Sequence, residues 1–327
     1  MATYRQVKGY SIKSVSSNPD NSNVGQVWYN SSTKAITSKL SIPAAWASGG
    51  NLNTARFAMN QGAGTQTAGL GAGGNPFNSV LGNAEEYNGT SWSEQNDLNT
   101  SRQMMGAAGT QTAGLFFGGR LIPPPSKQDA TEEYNGSSFS EQNNLGTARA
   151  GLAGAGTQTA ALGFSGDAGP GVTTDTEEYN GTSWSEQNNM STGRENLAGC
   201  GTQTAGLGFG GYDPSTSAAS ALTEEYDGTS WTNGGAIGSA RYSLGGCGLQ
   251  TAALAFGGSP GNGVDLTEKY DGTSWSTTSA LATARKQLAG AGTQTAGLAF
   301  GGRNPSASAA TEEFTDLSEP VRTFDVS

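Results

Sequence analysis

The chain has no histidine among its 327 residues, and that absence removes much enzyme chemistry at once. Ser-His-Asp and Cys-His nucleophilic machinery both need an imidazole, and so do imidazole metal sites. No metal and no cofactor are therefore expected. Charge is scarce: 13% of residues are charged and the net charge is −10. An acidic chain this poor in Lys and Arg lacks a phosphate-binding surface, so no nucleic-acid partner is expected. No apolar run approaches the roughly 20 residues of a membrane span, which predicts no membrane partner. Met1 to Lys13 lacks the apolar centre of a secretory signal. Helical periodicity is missing throughout. Only two cysteines exist, Cys200 and Cys247. They share one position of a repeat in which the other copies carry Ala63, Ala108, Ala155 and Ala291. That pattern reads as a small buried apolar side chain. A disulfide between neighbouring repeats is the geometrically demanding alternative.

Glycine, by contrast, is abundant, at 51 residues. An average protein has about 7%. Strand-like apolar runs lie between the glycines, so they mark turns and close strand packing. Many sit in one recurring stretch, such as Gly292-Thr293-Gln294-Thr295-Ala296-Gly297-Leu298-Ala299-Phe300-Gly301-Gly302. Its copies centre on Gln66, Gln111, Gln158, Gln203, Gln250 and Gln294, at spacings of 45, 47, 45, 47 and 44 residues. Repetition at this period fixes an architecture of stacked or circular units. An Arg precedes each copy: Arg56, Arg102, Arg149, Arg194, Arg241 and Arg285. A Glu follows each copy, two residues before an aromatic: Glu85, Glu132, Glu177, Glu224, Glu268 and Glu312.

Each unit reads as four strands, here illustrated from two neighbouring copies. Gln287 to Ala291 is the first, rich in the small residues that suit a crowded centre, and Ala296 to Phe300 is the second. Thr267 to Tyr270 is a third strand, and a fourth starts at Trp275. Asn88-Gly89, Asn135-Gly136, Asn180-Gly181, Asp227-Gly228 and Asp271-Gly272 join third to fourth strands, and such dipeptides accept the positive φ of a tight hairpin turn. Three of these Asn residues match a glycosylation triplet, which the turn explains without a glycan. Trp46, Trp92, Phe139, Trp184, Trp231 and Trp275 each lie ten residues before an Arg, yet no such aromatic stands five residues after Phe314. The N-terminal end thus supplies an outer strand that the last unit lacks, as ring closure requires. The expectation is an all-β, six-bladed β-propeller over residues 46–327, closed by a strand around Trp46. Residues 1–45 do not repeat. Val24 to Asn30 alternates like a strand after the turn cluster Asn18-Pro19-Asp20-Asn21, and Lys34 to Ile42 reads as a second strand. This short β-rich segment is too small to hold a core alone.

The succession of Arg, apolar strand, Gly-Gly, Glu-x-Tyr, turn and Trp resembles the kelch repeat. Departures are Ala72 where other units have Phe, Ser165-Gly166 for the doublet, and Phe314 without its Trp. The wording of the repeat, as in Thr176-Glu177-Glu178-Tyr179-Asn180-Gly181-Thr182-Ser183-Trp184, resembles kelch-type proteins of marine bacteriophages, cyanophages especially. Val24-Gly25-Gln26-Val27-Trp28-Tyr29-Asn30-Ser31 is similar to the opening of such virion proteins. The resemblance implies a structural particle component of the tail or capsid, present in multiple copies.

The repeated Arg and Glu residues read as structural pairs, within or between blades. The second Glu becomes Lys269 in the fifth unit, which suggests a solvated position. The Gln turns read as links between adjacent blades, with an axial lining that binds water or a small polar ligand as the competing view. Strand alternation places the near-invariant turns on one face and the variable loops on the other. Recognition belongs on such loops. Arg120, Leu121 and Ile122, stiffened by three prolines, form the most distinctive candidate and read as an exposed apolar pair beside a cation. Tyr212, Asp213 and Arg303 complete the candidate ligand-binding set. The function expected is a non-enzymatic bacteriophage virion protein. Residues 1–45 dock it to other virion proteins, and the propeller contacts a protein or a host-surface glycan. A host-glycan adhesin is the alternative. A glycan-cleaving enzyme, using acids such as Asp167, Asp175, Asp213 and Asp265, comes third. The copper-oxidase chemistry known among kelch propellers needs the histidines this chain lacks.

Overall fold

A computed structural model describes residues 6–7, 10–17, 27–39, 43–317 and 321–325. It separates into two units, Trp46–Phe314 and the pair of terminal segments Met1–Ala45 and Thr315–Ser327. No helix occurs among the described residues.

The larger unit repeats one antiparallel four-stranded sheet. In the third sheet, Ala153–Thr157 is innermost, then Ala160–Phe164, Thr176–Tyr179 and Trp184–Gln187. Its register runs Gly154 opposite Gly163, Gly163 opposite Glu177, and Glu177 opposite Glu186. The same order recurs in six sheets among the described residues. In the last of them the outer strand is Ala45–Ser48, paired beside Thr311–Thr315. Trp46 packs its ring against Phe256 and Phe314, with centroids 5.1 and 5.2 Å away.

Neighbouring sheets are tied at three levels. Closest to the axis, six backbone N–H···O=C bonds of 2.7–2.9 Å run head to tail through Ala58, Gln287, Ser243, Asn196, Gly151 and Met104 and close on themselves. At the turn face, each repeat Gln donates its amide to two carbonyls of the preceding sheet. Gln158 reaches Gly114 and Tyr134, and Gln66 reaches Gly297 and Phe314, which joins the first sheet to the last. Further out, each indole N–H donates to a Thr hydroxyl of the preceding sheet: Trp92 to Thr311, Trp184 to Thr131, Trp231 to Thr176, Trp275 to Thr223 and Trp46 to Thr267. The second Glu is not simply solvated, as its replacement by Lys269 had suggested. It accepts the next sheet's tyrosine hydroxyl, as Glu86 does from Tyr134 and Glu133 from Tyr179, both at 3.0 Å.

Two departures from the repeat are matched across these joints. Phe139 replaces the Trp of the second sheet, and the first sheet carries Ala84 where the others have the accepting Thr. Phe314 replaces the Tyr of the last sheet, and the preceding sheet carries Lys269 where the others have the accepting Glu.

Each repeat Arg pairs within its own sheet. Arg56 with Glu85, Arg102 with Glu132, Arg149 with Glu177 and Arg194 with Glu224 are 3.0 Å apart; Arg285 with Glu312 is 2.8 Å apart, and Arg241 pairs with Glu268. All twelve side chains are buried. Burial lowers the pKa of Arg56, Arg102, Arg149, Arg194 and Arg285, and the paired glutamates oppose that shift. Each carboxylate also accepts a backbone N–H from the incoming loop, as Glu224 does from Ser191 at 2.7 Å. The pair therefore pins three segments of one sheet.

Glycine is required where a side chain has no room. Gly156 has φ +100°, and a Cβ there would lie 2.2 Å from the Ala160 carbonyl oxygen. Ser165 fills the first doublet position in the third sheet at φ 58°. Its hydroxyl accepts the Arg194 N–H at 2.8 Å and donates to the Arg194 carbonyl at 2.7 Å, which joins it to the next sheet.

The terminal unit departs from the expected boundary at residue 327. Val321–Asp325 pairs antiparallel with Ala35–Lys39, so the C-terminal tail belongs with the N-terminal segment and not with the repeats. Ala35–Lys39 also pairs antiparallel with Val27–Asn30, and Lys13–Val15 runs parallel to Val27–Asn30. The sheet buries Trp28 and Ala35. The expected strands are thus present as Val27–Asn30 and Ala35–Lys39; residues 24–26 and 40–42 and the Asn18 turn cluster lie outside the described residues.

Candidate functional site

The variable face is built on one repeated backbone contact. The residue after each repeat Arg exchanges hydrogen bonds with the residue after each glycine doublet or its equivalent. The pairs are Phe57 with Asn75, Gln103 with Arg120, Ala150 with Asp167, Glu195 with Tyr212, Tyr242 with Ser259, and Lys286 with Arg303. These twelve positions surround the axial hydrogen-bond ring, because each ring member is the next residue along its chain. The scaffold fixes their backbones and leaves their side chains free to differ.

Three of the candidate residues lie on this face. Arg120, Tyr212 and Arg303 occupy equivalent positions in the second, fourth and sixth sheets. The Tyr212 ring lies 5.3 Å from Tyr242, and the Arg303 guanidinium lies 4.7 Å over the Phe57 ring. The other three candidates do not join them. Leu121 pairs with Ser126 in a small hairpin, and both Leu121 and Ile122 are half-buried, so the exposed apolar pair expected there does not exist. The exposed residues of that loop are Pro123, Pro124, Pro125 and Ser126. Asp213 lies in a second hairpin and accepts the Ser215 N–H and hydroxyl at 2.9 and 2.6 Å, which hold its pKa below the usual carboxylate value.

Charge is unevenly spread around the mouth. Lys127 pairs with Asp167 at 2.7 Å. Burial, and next the Asp167 charge, push the Glu195 pKa up, while Arg120 and Lys127 pull it down. This side of the mouth balances two acids against two bases. Lys286 and Arg303 lie elsewhere, in the sixth sheet.

Reading the sequence missed Glu195, Tyr242, Lys286 and Phe57. The signal was present, since the position after the Arg holds a different residue in every unit. It also missed Gln61. Below the mouth, an axial cavity of about 90 Å³ is lined by glycine, alanine, Cys200 and Cys247, with Gln61 as its one longer side chain. Gln61 donates to the carbonyls of Gly154 and Gly199 at 3.0 and 2.9 Å and accepts from the N–H groups of Ala107 and Gly154 at 3.1 and 2.7 Å. It thereby ties the first sheet to the second, third and fourth across the axis. The sign was a spacing: ten residues separate Arg56 from Gln66, against nine in every other unit. Cys200 and Cys247 are buried free thiols, as a small-apolar reading implies. Among the described residues no cluster of three or more His, Cys, Asp or Glu side chains is placed to hold a metal ion.

Repeated antiparallel four-stranded sheets arranged round an axial cavity define a β-propeller. Among solved structures the chain is similar to YjhT, a kelch-type β-propeller, with a TM-score of 0.68 and 12% sequence identity over 84% of this chain and 99% of that one. Identity that low carries the fold alone. No protein-family model matches the sequence, and no curated protein matches it.

Proposed function

We propose that this chain is a six-bladed, kelch-like propeller that acts as a recognition module in a bacteriophage virion and not as an enzyme. One observation carries the recognition reading. The Arg–Glu pairs and the Gln, Trp and Tyr joints between sheets are repeated or compensated, whereas the paired positions round the mouth differ from unit to unit. A repeated scaffold that varies most where it faces outward is built to present side chains. The virion setting draws on the likeness of the repeat wording to phage kelch-type proteins. The docking element in this reading is the sheet that combines Lys13–Val15, Val27–Asn30 and Ala35–Lys39 with Val321–Asp325, not residues 1–45 alone. Partners are other virion proteins at that sheet and a protein or host-surface glycan at the mouth.

Electron cryomicroscopy of intact particles tests this reading. Density for a disc attached through the terminal sheet supports it, and absence of the chain from purified particles overturns it. A second reading, glycan cleavage, draws on Glu195, whose pKa is raised beside Asp167. It requires product release from host glycan that Glu195→Gln abolishes.

A further inference from the structure

Lys286 and Arg303 are opposite partners in an isolated antiparallel bridge and exchange both backbone hydrogen bonds, at 3.2 and 2.9 Å. Side chains so placed share one face, and two like charges there destabilise the pairing. Among the described residues no carboxylate lies within ion-pair reach of either one, in a protein whose net charge is −10. Their neighbours in the mouth contrast with this, because Lys127 and Arg120 face Asp167 and Glu195. Lys286 donates to the Gly261 carbonyl in the loop that follows Ser259. Arg303 lies on Phe57, whose ring is 5.6 Å from the half-exposed Phe77, and the buried Arg303 Nε has no hydrogen-bond partner. Next to Lys286, Gln287 contributes a buried Oε1 that also lacks a partner.

We infer that Lys286 and Arg303 form the anion-binding centre of a site for an acidic saccharide, a pyranose bearing a carboxylate. The unshared cations receive the carboxylate through charge-assisted hydrogen bonds. The half-exposed Phe77, next to the Phe57 ring under Arg303, offers a flat face to the apolar side of a sugar ring. This rests on the recognition reading above and gives it a ligand class.

The test is calorimetric titration of the full chain with a glucuronate oligosaccharide, a neutral glucose oligosaccharide and sodium sulfate. Uronate binding is expected, weaker at high salt. Arg303→Gln and Lys286→Gln should each weaken it at least about tenfold, the scale of one charge-assisted hydrogen bond. Thermal melts should show both variants folded. Equal binding of the neutral sugar overturns the role of the cations. Sulfate bound as tightly as the uronate overturns the saccharide assignment, and no binding by any probe overturns the site. None of these failures removes the chain from particles, so they are distinguishable from failure of the virion reading.

Discussion

Replacing Glu224 with glutamine keeps the shape of the side chain and removes its charge from beneath Arg194. The guanidinium is buried and also donates to the carbonyls of Gly210 and Leu222, at 2.7 and 2.8 Å. Breaking a buried ion pair from one side leaves the other charge without compensation and costs about 3–5 kcal/mol. For a domain of this size that is a fall in Tm of about 6–20 °C. The double variant Arg194→Leu, Glu224→Leu separates the charge from the hydrogen bonds. In many proteins an apolar pair of similar volume restores stability. Here it leaves the Gly210 carbonyl and the Ser191 N–H without partners, at about 1–3 kcal/mol each, whereas the Leu222 carbonyl keeps the Gly210 N–H, so the double variant should stay below the parent. Urea unfolding reads both numbers. A Glu224→Gln variant within 1 kcal/mol of the parent, or a double variant equal to it, would refute the reasoning.

The tyrosine joints predict an alkaline limit to stability. Burial, followed by hydrogen bonding to Glu313 and Glu225, raises the pKa of Tyr87 and Tyr270 to about 12, and Tyr134, Tyr179 and Tyr226 are raised as well. An unfolded tyrosine titrates near about 10, so this contribution is complete below that pH and is lost as pH rises through about 12. Denaturant midpoints measured across that window should fall, and ultraviolet titration should show these rings ionising only on unfolding. The matched departures predict a coupling: Phe314→Tyr alone should gain nothing, whereas Phe314→Tyr with Lys269→Glu should recover about 0.5–3 kcal/mol beyond the sum of the single changes, read from a double-mutant cycle.

Much of the fold was legible because it repeats. The Arg, Gln, Glu, Tyr and Trp positions each perform one geometric task, and a task performed in every unit leaves a fixed spacing in the sequence. Trp46 was readable as an outer strand because its distance to Arg56 matches that of Trp92 to Arg102. The pairing of Val321–Asp325 with Ala35–Lys39 was not readable, since it occurs once and joins residues nearly a full chain length apart. Gln61 stayed hidden for a related reason. Its partners are backbone groups of three other sheets, and backbone groups leave no residue signature. The mouth was half legible. Loops after the glycine doublets announced themselves by varying in length, but the facing residues after each Arg vary only in identity.

The two matched departures also bear on how the ring is specified. Ala84 and Phe139 are 55 residues apart and Lys269 and Phe314 are 45 apart, so each pair spans one junction between successive units. A lone Phe139 would leave a threonine hydroxyl without its indole donor, and a lone Phe314 would leave a half-buried glutamate without its phenol. In both cases the partner has changed with it, so neither junction contains the orphaned group that makes such losses costly. Phe139 lies in an outermost strand and Phe314 in the strand beside one, and both leave the axial hydrogen bonds and the Gln amides untouched. The ring therefore tolerates exchange away from its axis, one junction at a time, while the axial hydrogen bonds run between backbone groups. That division lets the outward residues of the mouth change freely: the contacts that close the circle do not pass through them.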